Sequence, residues 1–232
     1  MRNGILSDFI SLFFPAYCYA CKEQLYKSEE SICLKCEHEL PTTNYHLDPQ
    51  NPVMIKMYGK SPIAFASSYL RFVKSGKTQR LLHQLKYHNK PEIGNILGRW
   101  YANQISETIG THGIDMIVPV PLHEKKRKKR GYNQSDGFAK GLSEILEVDT
   151  NLDALIRTRQ SATQTNKSKM ERWENVEKIF EVTNALAVKG KHVLVVDDVI
   201  TTGSTLASCA NELLDNGAGS VSVATIAVAE YK

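Results

Sequence analysis

The residues with the clearest chemical potential follow an apolar run in the carboxyl-terminal part of the sequence. Residues 193–196 are all aliphatic, and the adjacent acids Asp197 and Asp198 come directly after them. Hydroxyl side chains and one glycine follow, in an order typical of a buried strand that turns into a helix. Backbone N–H groups at a helix start favour an anion, so a phosphate fits there. The loop residues that would surround it are Val199, Thr201, Thr202, Gly203, Ser204 and Thr205.

Asp197 and Asp198 need a partner, because two adjacent carboxylates repel each other. The vicinal hydroxyls of a ribose would donate hydrogen bonds to both, and a nearby cation would meet the same need. The alternative is that the aspartates only begin a turn and the hydroxyls only cap a helix. The position favours a ligand, because open α/β sheets bind ligands outside the carboxyl ends of their strands.

Four of the five cysteines form two identical pairs near the amino terminus. Two residues separate Cys18 from Cys21, and two separate Cys33 from Cys36. This spacing predicts a tetrahedral zinc site, which would be structural because protein ligands fill all four positions. Two disulfides, or a redox role for one pair, are the alternatives. The remaining Cys209 lies on an apolar helical face and is predicted to be a buried small hydrophobe.

Positive charge is concentrated at one place in the chain. The formal net charge is +4, and residues 125–130 alone carry six positive charges. Such a basic loop indicates a local anionic partner, either a phosphate-rich ligand or nucleic acid, and the alternative is a solvated charge run. The ring of Tyr132 would stack on one base. The predicted nucleic-acid contacts are therefore Lys125, Lys126, Arg127, Lys128, Lys129, Arg130 and Tyr132.

The elements that must position these residues alternate between strands and helices. Apolar runs predict strands at 63–70, 114–118, 179–183, 192–196 and 221–228, with helices between them. Near-continuous apolar strands alternating with amphipathic helices predict an α/β fold, with a mainly parallel sheet flanked by helices. The helix residues predicted to face the core are Leu81, Leu82, Leu85, Ile93, Ile96, Leu97, Trp100, Ile105, Phe138, Leu142, Ile145 and Leu146.

The 232 residues provide enough apolar material for one ordinary core and a small appendage. We expect residues 1–52 to hold an amino-terminal helix and the zinc segment, and residues 53–232 to form the main domain. The polar stretch from Pro41 to Pro52 is interpreted as a linker. The apolar stretch at 5–14 is too short and too polar to span a bilayer, and it lacks the features of a secretory signal. We therefore expect a cytoplasmic protein without stable membrane insertion.

Two of these segments resemble known families. Residues 193–205 are similar to the phosphoribosyl pyrophosphate (PRPP) binding signature of type I phosphoribosyltransferases, with apolar residues, two acids and then Thr-Thr-Gly-Ser-Thr. Residues 118–123, followed by two arginines and the segment 131–135, resemble the competence protein ComF family. With the four-cysteine start, the resemblance covers nearly the whole chain. Residues 157–180 are similar to that family's mobile loop.

The resemblance implies PRPP as the ligand, with Mg²⁺ bridging its pyrophosphate and ribose oxygens. It implies that the 5-phosphate binds in the hydroxyl loop and that the ribose hydroxyls bind Asp197 and Asp198, which would be the catalytic pair of an active enzyme. The pyrophosphate would lie beside a turn and two neutralising arginines. Lys86 is a weaker candidate for the same role, and the residues favour an ordinary exposed helical lysine there. The turn residues and the arginines are Val120, Pro121, Leu122, Arg127 and Arg130.

The resemblance also implies a role in DNA uptake during natural transformation. Single-stranded DNA and a helicase-like DNA translocase of the competence system would be the partners, with structural zinc and PRPP-bound Mg²⁺ as cofactors. The alternative is an active phosphoribosyltransferase in nucleobase salvage, since the ribose-phosphate loop is intact. The sequence presents no residue that we assign to base recognition or to general-base catalysis, and it therefore leaves enzymatic activity open.

Overall fold

A computed structural model describes residues 15–158 and 179–229 and shows a parallel sheet flanked by helices. The helix expected at 5–14 and most of the predicted mobile loop, from 159 to 178, lie outside the described residues. The strands are β1 Phe65–Arg71, β2 Met116–Pro119, β3 Leu155–Arg157, β4 Phe180–Val182, β5 His192–Ile200 and β6 Ser220–Val228. The helices are α1 Leu34–Glu39, α2 Pro52–Met57, α3 Lys77–Tyr87, α4 Glu92–His112, α5 Glu124–Arg130, α6 Gln134–Leu146, α7 Ala185–Val188 and α8 Ser204–Asp215.

The main sheet has the order β1-β6-β5-β2, and every neighbouring pair in it is parallel. Alternate residues of β5 point to opposite faces, as the pleat requires. Leu194 and Val196 join the core that contains α3, α4 and α6, whereas Val193 and Val195 join the core beneath α8. A strand covered on both faces is apolar at every position, which is why the sequence run is continuous. The predicted fold class is confirmed.

The short strand expected near residues 179–183 is present as β4, but it does not join the main sheet. It pairs antiparallel with β3 in a separate two-stranded ribbon. Most predicted core positions are buried as expected, including Cys209 on α8. Ile96, Trp100 and Leu146 are partly buried against the core, whereas Ile145 is 38% exposed at the end of α6. The prediction that Ile145 faces the core is therefore wrong.

The stretch from Pro41 to Pro52 is not a free linker. The Thr43 N–H donates to the Tyr69 carbonyl oxygen at 3.0 Å, and the Arg71 N–H donates to the Pro41 carbonyl oxygen at 2.8 Å, so the segment runs beside β1. Asn51 is 2% exposed, caps α2 through its side-chain oxygen and donates to the Ala66 carbonyl oxygen at 2.8 Å. The domain boundary after residue 52 stays a prediction.

The predicted basic loop is instead the helix α5. His123 caps its start by accepting the Lys125 N–H at its Nδ1, and Gly131 ends it in the left-handed conformation at φ +87°. The Glu124 carboxylate pairs with Lys128 one turn away at 2.6 Å, and the positive charges of the last turn complement the helix dipole. The charge run therefore has a fixed shape.

Within residues 15–158 and 179–229, we find no helix that is long and apolar enough to cross a bilayer. The longest helix in these ranges is α4, with 21 residues. Its mixed polar and apolar sequence packs along α6 in the core instead.

Candidate functional site

The hydroxyl loop connects the carboxyl end of β5 to the first turn of α8. Gly203 is the N-cap residue with φ +83°, and a Cβ there would lie 3.0 Å from the Lys56 carbonyl oxygen. Glycine is therefore required both by its backbone conformation and by the close approach of α2. The Thr202 and Ser204 hydroxyls lie 3.1 Å apart. The loop encloses a hollow of about 20 Å³ lined by Asp197, Val199, Ile200, Thr201, Thr202, Gly203, Ser204, Thr205 and Leu206.

The structure adds a cation at this loop that the sequence analysis missed. The Lys60 ammonium donates to the Thr202 carbonyl oxygen at 2.6 Å and to the Lys56 carbonyl oxygen at 2.6 Å. Lys60 is 142 residues away from Thr202 in the chain, so no local pattern could have connected the two. Its positive charge lies beside the helix start at which an anion is expected.

Asp197 is held from two sides inside β5, rather than after it. Its Oδ1 accepts the Ser135 hydroxyl of α6 at 3.0 Å and the Asp198 N–H at 2.8 Å. Burial, reinforced by the negative charge of Asp198, raises the pKa of the Asp197 carboxyl to about 7. Asp197 can therefore hold or release a proton near neutral pH.

Asp198 points to the other face of the strand, toward α3. It is 5% exposed, and its Oδ1 lies 2.9 Å from the Lys86 ammonium. Its Oδ2 is buried and has no hydrogen-bond partner among the described residues. Sequence reasoning gave Lys86 only a weak place in the site and favoured an ordinary exposed lysine. That expectation is wrong, because Lys86 is the ionic partner of a site acid.

The turn after β2 lies against the carboxyl end of β5. The Val120 N–H donates to the Val196 carbonyl oxygen at 2.8 Å, and the Asn133 amide donates to the Val120 carbonyl oxygen at 3.1 Å. Beside this turn is a cavity of about 290 Å³, whose lining includes Pro121, Leu122, Arg127, Asn133, Asp136 and Arg157. The structure thus brings the predicted turn residues and Arg127 together.

Arg130 and Tyr132 have partners within the protein. The Arg130 guanidinium donates to Gln134 and lies 5.8 Å from the centre of the Tyr87 ring. The half-buried Tyr132 packs against the main core and donates its hydroxyl hydrogen to the Leu85 carbonyl oxygen. This contact favours a role for Tyr132 in positioning α3, whereas residues 124–129 of α5 are exposed.

The four paired cysteines converge as a metal site requires. Their sulfur atoms all lie within 4.8 Å of one another, and the Cys21 and Cys33 sulfurs are 3.7 Å apart. Tetrahedral zinc with bonds of about 2.3 Å needs sulfurs about 3.8 Å apart, so the cluster fits zinc. All five cysteines are free thiols, as a metal site requires and two disulfides would not allow.

Backbone amides prepare the first cysteine for a metal. The Ala20 and Cys33 N–H groups donate to the Cys18 Sγ at 3.4 and 3.3 Å. Burial opposes the thiolate, but backbone hydrogen bonds from Cys21, Cys33 and Ala20 outweigh it and lower the pKa of Cys18 to about 7. A thiolate is the form that binds zinc, so the cysteine segment is arranged for metal.

Comparison with known proteins agrees with this geometry. The phosphoribosyl transferase domain family matches residues 128–231, which include the last three residues of the basic helix, the acids and the hydroxyl loop. The chain is 33% identical to the DNA utilization protein YhgH of Escherichia coli K12 over 227 residues, covering 91% of this chain and 96% of that protein. It is 27% identical to competence protein F of Haemophilus influenzae, covering 84% of this chain and 89% of the relative. It is also 27% identical to competence protein ComFC of Bacillus subtilis, covering 90% and 82%.

Proposed function

Since the chain belongs to the ComF family of DNA-utilization and competence proteins, we propose that it assists DNA uptake by binding PRPP and single-stranded DNA. The observation that carries the proposal is the carboxyl end of β5, where the half-buried Asp197, the buried Asp198 and a hydroxyl loop meet a helix start. In this proposal the end of β5 binds PRPP, and the basic helix α5 binds single-stranded DNA.

The hydroxyl loop would hold the 5-phosphate of PRPP. The backbone N–H groups at the start of α8 and the hydroxyls of residues 201–205 supply donors, and the Lys60 ammonium supplies positive charge. The hollow in this loop is small, so a ligand group there would lie directly against the donors of the loop. Gly203 allows the loop backbone to approach the ligand closely.

The two acids would hold the ribose hydroxyls. Asp198 Oδ2 is a buried acceptor without a partner among the described residues, and such an atom is costly unless a donor reaches it. A ribose hydroxyl or Mg²⁺ fits this atom, and the Mg²⁺ would be carried mainly by oxygens of PRPP itself. Mg²⁺ would neutralise the pyrophosphate charge, while Lys86 keeps Asp198 in place.

The pyrophosphate would lie along the turn at Val120, Pro121 and Leu122. This turn is bonded to the end of β5, and Arg127 lines the cavity next to it. A guanidinium is suited to bidentate hydrogen bonding with phosphate oxygens. Arg130 is fixed by Gln134, so we assign Arg127 the larger share of this contact.

The exposed part of α5 would bind single-stranded DNA through its phosphates. Lys125, Lys126 and Lys129 project from a short helix on which Lys128 is paired with Glu124. Contacts of this kind release counterions, so binding weakens with salt, with a slope of about 0.7 per phosphate contact. A helicase-like translocase of the uptake system would supply or receive the strand in the cytoplasm.

The DNA part of the proposal is tested by the salt dependence of binding. Replacing Lys125, Lys126 and Lys129 together by glutamine should lower the slope of log Kd against log salt by about 2 for an oligothymidylate. The control is Lys189→Gln, an exposed lysine at the opposite end of the sheet, which should leave the slope unchanged. Equal slopes for the triple variant and wild type would contradict the role of α5.

An active phosphoribosyltransferase is the second candidate, because residues 128–231 match that domain family. An Asp197 carboxyl with a pKa near 7 would be able to exchange a proton during turnover. The protein would be incubated with PRPP, Mg²⁺ and a panel of nucleobases while pyrophosphate release is measured. Release with one base that disappears in Asp197→Asn would establish this activity, and no release with any base would remove it.

A further inference from the structure

We propose that the outward face of α3, together with the adjoining part of the cysteine segment, continues the DNA surface beyond α5 by stacking bases. This inference rests on the proposed binding of single-stranded DNA and specifies its path. Leu81, Leu82 and Leu85 bury the inner face of α3, whereas His83 and Tyr87 are exposed on the outer face. The outer face of α3 therefore carries exposed aromatic rings.

The exposed rings form a connected series. The centre of the Tyr87 ring, which is 68% exposed, lies 4.9 Å from that of His83, and the latter lies 5.1 Å from the centre of the His88 ring. His83 and Tyr87 are one helical turn apart, so they share a face of α3. Exposed aromatic faces that follow one another in this way are the platforms on which single-stranded bases stack.

The series begins at the basic helix. The Arg130 guanidinium, at the end of α5, lies 5.8 Å from the centre of the Tyr87 ring. The positive charges of α5 are therefore continuous with the aromatic face of α3. A strand that leaves the lysines of α5 would meet Tyr87 first.

The other end of the series leads into a cavity of about 440 Å³ between α3 and the cysteine segment. Its lining includes His83, His88 and Tyr19, and the cations Lys22 and Arg80. The described residues that line it contain no carboxylate. The Arg80 Nε is buried and has no hydrogen-bond partner among the described residues, which points to an acceptor supplied by a ligand.

The charge of this cavity distinguishes it from its larger neighbour. A cavity of about 940 Å³ that shares Tyr19 with it is lined by Glu29, Glu30, Glu92 and Glu144 as well as by basic residues. Lys22 lines both cavities, so the contrast lies in the four glutamates of the larger one, which repel a polyanion, and in Arg80 of the smaller one, which attracts it. The path for DNA therefore follows α3 and avoids the glutamates.

The dimensions suit a short strand. Arg80 and Tyr87 are seven residues apart on α3, which corresponds to about 10 Å along the helix axis. Adding α5 gives a surface for several nucleotides, within the range of about 4 to 16 that one module of single-strand binders covers. The cysteine segment contributes Tyr19 and Lys22, so the metal site would fix one wall of the path.

The test is the affinity for a fluorescein-labelled 12-nucleotide oligothymidylate, measured by anisotropy at pH 8. His83→Ala with Tyr87→Ala should raise Kd at least about fivefold, which corresponds to one lost stacked base. The salt slope should stay that of wild type, because no phosphate contact is removed. The control is Tyr26→Ala in the cysteine segment, whose side chain is 80% exposed, and it should bind as wild type does.

A second measurement locates the strand on the folded wild-type protein. Photo-crosslinking with iododeoxyuridine in the oligonucleotide should give adducts on the peptide that carries His83 and Tyr87. If wild type binds no oligonucleotide, the proposed function itself fails. If wild type binds and the α5 variant is weakened, but the α3 variant matches Tyr26→Ala and adducts occur on α5 alone, only the α3 path is overturned. Full displacement by millimolar thymidine monophosphate would also overturn it, in favour of a mononucleotide pocket.

Discussion

At the scale of single residues, Asp197 couples the candidate site to pH. Its carboxyl has a pKa near 7 in the folded protein and about 3.9 in the unfolded chain. Between these values the folded state keeps a proton that the unfolded state has released. The stabilisation linked to this proton is complete below about pH 4 and is lost as the pH rises through about 7.

Asp197→Asn removes this titration while keeping an oxygen acceptor for the Ser135 hydroxyl. We expect the free energy of unfolding of the variant, relative to wild type, to increase by about 2 kcal/mol between pH 5 and pH 8. Urea unfolding at the two pH values measures it. Asp149→Asn, at an exposed acid, serves as the control. If the free energies of unfolding of Asp197→Asn and wild type differ by the same amount at both pH values, the pKa of Asp197 is not raised in the folded protein.

The sequence indicated that the two acids lie at the carboxyl end of an apolar strand, but it ended the strand at residue 196, whereas β5 continues through both acids to Ile200. It could not show that Asp197 accepts a hydrogen bond from Ser135 or that Asp198 pairs with Lys86. Their partners Ser135 and Lys86 are 62 and 112 residues away in the chain, and only the packing of the helices brings them there. Lys60 could not be identified from the sequence for the same reason, because its partner Thr202 is 142 residues away in the chain.

At the scale of elements, the contact between α4 and α6 positions Ser135 against Asp197. Glycines line this contact, and the two helix backbones touch directly. A Cβ on Gly141 would lie 2.1 Å from the Asn95 carbonyl oxygen, and one on Gly98 would lie 2.5 Å from the Phe138 carbonyl oxygen. Because these atoms belong to backbone, they cannot move aside without separating the helices.

Gly141→Ala should therefore destabilise the protein by about 3 kcal/mol or more, since overpacking here displaces a whole helix. Gly110→Ala is the matched control, because Gly110 lies in α4 and a Cβ there meets nothing within 4 Å. That change should stabilise the protein by up to about 1 kcal/mol through helix propensity. Thermal and urea unfolding measure the stability of both variants. Similar changes in stability for the two substitutions would contradict the claim that the backbones of α4 and α6 touch at Gly141.

Strands were easier to predict than the basic helix. The runs that became β5 and β6 are mainly apolar, and their burial on both faces explains this. Residues 125–130 show no apolar period and repel one another, so the pattern favoured a loop. The helix forms because Glu124, His123 and Gly131 act at its ends, and these contributions are invisible to an analysis of periodicity.

At the scale of the whole molecule, the cysteine segment and the sheet domain share a core. Cys18, Cys33 and Cys36 are buried in the same cluster as residues of α3 and α4. Zinc would thus stabilise more than its own segment, because the metal fixes a wall of the main core. The sequence indicated the metal from spacing alone but gave no sign of this shared packing.

We expect one zinc ion per chain by elemental analysis, and chelation should lower the melting temperature of the whole protein by about 5 °C or more. Cys36→Ser should lose the metal. Cys209→Ser should retain it, because this buried cysteine lies on α8 away from the cluster. Retention of zinc by Cys36→Ser, or an unchanged melting curve after chelation, would contradict the shared-core account.

The most direct test of the central claim is calorimetric titration of the protein with PRPP in the presence of Mg²⁺. Wild type should bind one PRPP per chain. The variant with Asp197→Ala and Asp198→Ala should lose at least about tenfold in affinity, equal to about 1.4 kcal/mol, because the acceptors for the ribose hydroxyls are gone. No heat of binding with wild type, or equal affinity in the double variant, would contradict the claim that the end of β5 is a PRPP site.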